Sequence, residues 1–247
     1  MKDGLETRLH VATPLDDAAT VAVTEAQAHY LRNVLRLGPG DELALFNGRD
    51  GEWRARIESA DKKAATLALV EQTRPQRNEP DVWLVFAPIK RARIDFLAQK
   101  ATELGVAVLW PVMTRRTIVD RVNLDRLAAN AIEAAEQSDR LTIPEVRELE
   151  KLDLVLDAWP ADRPLILCDE THAGQPLAEA LSDDHLSSTN TVGFVIGPEG
   201  GFAEEELDRL WSLAFVKPVS LGPRLLRADT AALAVVAAWQ TMAGDWR

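Results

Sequence analysis

The chain is 247 residues long, with 47% apolar content and a formal net charge of −11, enough to bury a sizeable core in two modest domains. No apolar run reaches the roughly 20 residues of a membrane span, and the N-terminal MKDGLETRLH lacks the apolar stretch of a signal peptide, so a cytoplasmic protein is expected. The single cysteine, Cys168, excludes an internal disulfide framework and a multi-cysteine zinc site, and the four histidines, His10, His29, His172 and His185, are scattered without ligand spacing; no metal is expected.

Residues 1–73 read as short alternating runs separated by turn signals: ATVAVT, the Gly38-Pro39-Gly40-Asp41 turn, DELALFN, the Gly48 to Gly51 loop, EWRARIES and KAATLALVEQ. This pattern predicts a small β-barrel domain. Its helical exception is Glu25 to Arg36, where Tyr30, Leu31, Val34 and Leu35 recur at helical spacing and Arg32 and Arg36 lie four apart. The polar run TRPQRNEP, residues 73–80, has the composition of a linker, because its prolines resist both helix and central strand.

Beyond residue 80 the pattern becomes strand, loop and helix in alternation, which predicts an α/β domain with a largely parallel sheet covered by helices. Expected strands are Val82 to Ala87, Val106 to Pro111, Leu165 to Cys168, Thr191 to Ile196 and Val216 to Leu221. Expected helices are Arg93 to Leu104, Asn123 to Ser138, Leu177 to Ser182, Glu204 to Phe215 and Thr230 to Ala243. Asp229 or Thr230 is the expected cap of the last helix, whose AALAVVAAW run is apolar nearly all round and therefore expected to be buried, in part against another subunit.

Two of these strands run straight into glycine loops, TVGFVIGPEGGF from Thr191 to Phe202 and VSLGPRLLRADTA from Val219 to Ala231. Glycines at strand ends let backbone groups approach a flat ligand, and ligands of open α/β sheets gather at the carboxyl ends of strands, so the two loops predict one shared pocket. Neither loop contains GxxxxGK[ST], no GxGxxG opens a helix after a strand, and Glu199 repels phosphate, so a bound polyphosphate is not expected.

The charges are segregated. From Lys90 to Arg126 eight basic residues face four acids, whereas from Glu145 to Arg209 four basic residues face sixteen. A chain so divided can bind a polyanion on one face while its acidic remainder keeps it dissolved. A solvated helix face accounts for the charge pattern equally well.

Four segments carry a family resemblance: HYLRNVLRL (His29 to Leu37), KRARIDFLAQKATELGV (Lys90 to Val106), IEAAEQSDRLTIPEV (Ile132 to Val146), and the GPEGGF and LGPRLLRADTAA loops. With them the chain resembles, over essentially its full length, the ribosomal RNA small subunit methyltransferase E family, uridine-N3 methyltransferases of the SPOUT class. The resemblance implies a PUA-like RNA-binding barrel over residues 1–73 and a SPOUT methyltransferase domain with a trefoil knot over residues 80–247. It also implies an S-adenosylmethionine cofactor, a homodimer with the active site at its interface, and as substrate a uridine of 16S rRNA, usually uridine 1498 in the standard numbering.

Methyl transfer to an imino nitrogen requires aligned donor and acceptor and removal of the N3 proton. Backbone groups of Ile196, Gly197, Pro198, Glu199, Gly200 and Gly201, and of Leu221, Gly222, Leu225 and Leu226, are expected to hold the cofactor, with Leu167 to Glu170 as a third wall and Thr230 at the entry to the last helix. Arg227 is the expected stabiliser of negative charge on the uracil carbonyls, unless an acid such as Asp229 claims it in a salt bridge. Glu199 is expected to orient the base or accept its proton, or to serve a backbone turn; the general base stays unassigned. Phosphate-positioning roles fall to Arg8, Arg32, Arg36, Lys90, Arg93, Arg115, Arg116 and Arg140, with Arg140, in the AEQSDR segment, expected near the pocket of its own chain or of the partner subunit. The family more often has glutamate where this chain has Asp229, and RLHV (Arg8 to Val11) replaces a more usual aromatic after the arginine. A non-catalytic RNA-binding assembly factor and a different α/β enzyme, such as a nucleotide-dependent hydrolase or dehydrogenase, are the competing readings.

Overall fold

The structure is a computed structural model that describes residues 5, 7–15, 20–119, 121–169, 171, 173–183, 186 and 190–247. It divides into two compact units: Met1–Asn78 with Ala135–Ile143, and Glu79–Ala134 with Pro144–Arg247. No helix among the described residues is long and apolar enough to cross a membrane.

The first unit is a sheet of β1 (Arg8–His10), β2 (Thr20–Ala22), β3 (Glu42–Phe46), β4 (Glu52–Ala60) and β5 (Ala65–Arg74), ordered β1-β3-β4-β5-β2. Only the β1–β3 pair is parallel. Three register shifts along the β4–β5 ribbon bend it, so that Leu43, Leu45, Ala55, Ile57 and Leu67 converge in one buried cluster.

Helix α1 (Glu25–His29) starts where Thr24 Oγ1 accepts from Gln27 N and Gln27 Oε1 accepts from Thr24 N, a reciprocal cap. The expected continuous helix to Arg36 is not what forms. A π-turn over Tyr30–Val34 closes Leu35 N on Tyr30 O at 3.0 Å, and Arg36 leaves in the left-handed region at φ 61. The extra residue in the turn lets Leu31 and Leu37 both reach the core, and it takes Arg32 and Arg36 off one regular helical face.

The segment Ala135–Ile143, which charge and periodicity alone did not separate from its neighbours, counts with the first unit. Arg8 explains part of this. Its Nη1 donates to Ala135 O at 2.7 Å, its Nη2 to Arg140 O at 2.8 Å and its Nε to Glu52 Oε2 at 2.7 Å, with its guanidinium 4.4 Å from the Phe46 ring centre. Arg74 Nη2 meets the same Glu52 oxygen at 2.7 Å.

The second unit is a parallel sheet ordered β11-β13-β10-β12-β6-β7-β8, with β9 also on β7. Its strands are β6 (Asp81–Phe86), β7 (Val108–Met113), β8 (Glu145–Val146), β9 (Glu150–Lys151), β10 (Leu165–Cys168), β11 (Gln175–Pro176), β12 (Thr191–Ile196) and β13 (Val216–Ser220). The helices are α2 (Arg91–Glu103), α3 (Leu124–Gln137), α4 (Leu152–Asp157), α5 (Leu177–Leu181), α6 (Glu204–Ser212) and α7 (Ala228–Met242). Strands β10 and β12 fall where the sequence puts them, and four of the five inner strands, β10, β12, β6 and β7, are rich in buried Val, Ile, Leu and Phe, as a sheet covered on both faces requires. Elements β8, β9, β11 and α4 are additions to the expected set. On one face Trp83, Trp110, Trp159 and Phe215 pack edge-on and stacked, with Arg147 4.0 Å from the Trp83 ring centre.

Helix α7 packs on α2 and β12, and buries Ala232, Val235, Val236, Trp239 and Gln240. Gln240 Nε2 donates to Leu104 O at 2.7 Å. The helix is not buried all round within the chain: Ala234 and Thr241 are exposed, as is Met242 at 42%.

Candidate active site

Strands β13, β10 and β12 are neighbours and all parallel, so the segments leaving their carboxyl ends emerge together. After β12 the chain turns at Pro198, with Gly201 N bonded to Pro198 O at 2.9 Å, and enters α6. After β13 it turns at Gly222, whose φ of 98 only glycine adopts easily, and enters α7. Between these loops and the end of β10 lies a cleft of about 480 Å³, within the size range of small-molecule sites.

Of the expected cofactor residues, Ile196, Gly197, Pro198, Glu199, Gly201, Leu221, Gly222, Leu225 and Leu226 line the cleft. Three others do not. Leu167 is fully buried in the sheet core, Gly200 is engaged through its carbonyl oxygen with Arg116, and Thr230 is an exposed residue of α7 outside the lining. Glu170 lies outside the described residues. Cys168 and Asp169 form the wall expected from Leu167 to Glu170, and Arg224, Ala228 and Ala231 complete the lining without having been singled out in the sequence. Leu167 points into the sheet core and so does not face the cleft, but a run apolar on both faces carries no alternation that would show this in the sequence.

The two glycines differ in their physical role. A side chain at Gly197 would lie 2.8 Å from the Phe202 ring, so its smallness serves packing. A side chain at Gly222 would meet nothing within 4 Å and would project beside the cleft. Burial pushes the Cys168 thiol well above its ordinary pKa, which keeps it protonated.

Arg227 lines the cleft, is exposed, and makes no ion pair among the described residues. It is also the N-cap residue of α7, in extended conformation, where Asp229 or Thr230 was expected; Asp229 Oδ1 accepts from Thr230 N at 3.0 Å. Glu199 sits at the rim in an ion pair with Arg93, Nη1 to Oε1 2.8 Å.

The residues expected on RNA phosphates separate into two groups. Arg32, Arg36 and Lys90 are exposed and unpaired among the described residues. The others are engaged within the chain. Arg8 is buried at 7% exposure by the bonds given above, and Arg140, also 7% exposed, lies in the first unit with Nε on Thr142 Oγ1 at 3.0 Å; it is not in the cleft lining. Arg93 lines the cleft itself, Arg116 Nη1 donates to Gly200 O at 3.2 Å, and Arg115 donates from Nη1 to Glu205 at 2.9 Å. The Arg115 backbone N–H donates to Glu206 Oε1 at 2.7 Å, and Oε2 of the same buried carboxylate accepts from Ala203 N at 2.8 Å. Glu206 thereby ties the turn after β7 to the start of α6.

The chain thus carries a parallel-sheet unit, with a cleft at glycine loops after adjacent strands, and a separate small barrel-type unit, and its relatives place it among the RNA methyltransferases. A family described as the RNA methyltransferase domain matches residues 76–240, and one described as the RNA methyltransferase PUA domain matches residues 23–70. The chain is 33% identical to ribosomal RNA small subunit methyltransferase E of Rickettsia conorii, covering 93% of both chains, and 35% identical to that of Synechocystis over 91% of this chain and 74% of the relative. The chain belongs to the ribosomal RNA small subunit methyltransferase E family. Among solved structures, that of the Neisseria gonorrhoeae enzyme bound to S-adenosylmethionine superposes with a TM-score of 0.87 at 31% identity, covering 98% of this chain and 99% of that one. A Legionella pneumophila methyltransferase with bound S-adenosylmethionine gives 0.85 at 29% identity, over 95% and 97%.

Proposed function

We propose that this chain is an S-adenosylmethionine-dependent methyltransferase that acts on N3 of a uridine in 16S rRNA, the family's uridine 1498. The observation that carries the reading is the cleft at the carboxyl ends of β10, β12 and β13, with open space beside Gly222, on a chain whose family is named for rRNA methylation. The residues present fit the cofactor: an apolar wall from Ile196, Leu221 and Leu226 suits an adenine ring, and backbone N–H and C=O groups of the two loops suit its polar edge. When bound, S-adenosylmethionine supplies the methyl group as a sulfonium.

The chain's own residues then have distinct tasks. The loops at Gly197–Gly201 and Leu221–Leu226 hold the adenosine end. Arg227, unpaired and at the cleft, stabilises the charge that develops on the uracil carbonyls as N3 loses its proton. Glu199 at the rim orients the base through its N–H edge. Exposed Arg32, Arg36 and Lys90 take backbone phosphates, and the target uridine must leave its stack, since pairing hides N3.

The same reading includes a homodimer, supported by an open apolar surface where Pro176, Leu177 and Leu181 meet Ala234, Ala238 and Met242 of α7. It includes a trefoil knot in a cytoplasmic protein.

Calorimetric titration with S-adenosylmethionine tests the cofactor assignment. Wild-type protein is expected to bind, and Gly222→Val, which places a strained β-branched side chain beside the cleft, is expected to bind at least about tenfold more weakly. Absence of wild-type binding at millimolar cofactor would overturn the assignment.

A further inference from the structure

We infer that Arg93 and Arg116 are positioning residues for the Glu199–Gly200 tip of the cofactor loop, and not RNA phosphate contacts; the inference rests on the function proposed above. The tip is the part of the loop with least support of its own. The base of the loop is packed, with Phe202 buried against Gly197 and Pro198 buried beside it, whereas Glu199 and Gly200 are exposed. Among the described residues, two hydrogen bonds reach the tip from outside the loop, Arg93 Nη1 to Glu199 Oε1 at 2.8 Å and Arg116 Nη1 to Gly200 O at 3.2 Å.

These arms come from separate, well-anchored supports. Arg93 lies in the first turn of α2, a helix held down by buried Leu97, Ala98 and Ala101. Arg116 lies in the turn after β7, where Thr117 N bonds to Thr114 O, Thr114 N bonds to Thr117 Oγ1, and the neighbouring Arg115 N–H is fixed on the buried Glu206 carboxylate. One arm fixes a side chain and the other a backbone carbonyl, so together they set both the position of the Glu199 carboxylate and the path of the backbone that walls the cleft. A phosphate at either guanidinium would compete with the loop for the arginine's orientation, because Nη1 of each already holds the tip. The clamp is therefore built for the cofactor side of the reaction.

The test combines hydrogen exchange of the 197–206 backbone amides with cofactor titration and with binding to undermethylated small ribosomal subunits, for wild type, Arg93→Ala, Arg93→Lys and Arg116→Ala. A partly exposed ion pair is a modest interaction, so each alanine variant is expected to speed exchange in the loop and weaken cofactor binding by about fivefold. Subunit binding is expected to stay within about twofold of wild type, and Arg93→Lys, which keeps the charge, is expected to recover part of the loss. Unchanged exchange and cofactor affinity, with or without a fall in subunit binding, would overturn the inference. If wild type itself fails to bind S-adenosylmethionine while the loop still exchanges faster in both alanine variants, the clamp stands and the methyltransferase reading fails.

Discussion

Arg8, Glu52 and Arg74 show why residue type alone misplaces function. In the sequence Arg8 is a basic residue near a barrel strand, suited to phosphate; in the fold it is spent on a carboxylate and the carbonyls of a segment more than a hundred residues away. Burial raises the pKa of Glu52, but the hydrogen bonds and charges of Arg74 and Arg8 outweigh it and hold the carboxyl below its ordinary 4.5. A carboxyl whose pKa is lower folded than unfolded stabilises the fold above its unfolded value and loses that contribution as pH falls through the folded one. Stability of the first unit should therefore be level near neutrality and decline below about pH 4.5. Glu52→Gln should cost about 3 kcal/mol at pH 7 and flatten that acid limb, measured by urea unfolding at several pH values. Arg227→Ala should lower kcat about a hundredfold with cofactor affinity little changed, the mark of a group that acts only as charge develops. The Cys168 thiol, buried and held protonated, should resist alkylation at pH 8 in the native protein and react fully once it is unfolded.

At the scale of elements, what the sequence shows well is what regular burial imposes. Runs such as TVGFVI and LILC can only be covered strands, and the glycine loops that follow them report the cleft because strand ends, not helix faces, carry it. What stays hidden has equally physical causes. The spacing of Tyr30, Leu31, Val34 and Leu35 is shared by an α-turn and a wider π-turn, and only the need to seat both Leu31 and Leu37 selects the latter. Strands of two residues, β8, β9 and β11, have no period to read. The N-cap of α7 falls on Arg227 because the helix begins one residue ahead of Asp229, and the Arg93–Glu199 pair depends on a contact between elements far apart in the chain. The apolar run of α7 is read as buried, yet Ala234, Thr241 and Met242 remain open in the chain by itself. If that face joins two copies, Ala234→Glu should convert a dimer to a monomer in sedimentation or light scattering, with the folded spectrum retained; an unchanged mass would place the interface elsewhere.

At the scale of the whole molecule, a net charge of −11 argues against an RNA enzyme until the placement of the charges is considered. Some acids pair with arginines distant in the chain, as Asp95 does with Arg126, Glu205 with Arg115 and Asp153 with Arg209, and each pair takes a cation out of reach of RNA along with the acid. What is left for a polyanion is a smaller set of unpaired cations, with Arg32, Arg36 and Lys90 among them. Family membership explains why a barrel-type unit and a parallel-sheet unit occur on one chain, one matched as a PUA domain and the other as the methyltransferase domain. Neither charge sum nor periodicity contains the target nucleotide, because site choice depends on the shape of the RNA. The most direct measurement is incubation of the protein with undermethylated small ribosomal subunits and methyl-labelled S-adenosylmethionine, followed by nuclease digestion and chromatography of the nucleosides. The account predicts label in 3-methyluridine of 16S rRNA, sharply reduced with Arg227→Ala. Label in another nucleoside, or none in the presence of bound cofactor, would contradict it.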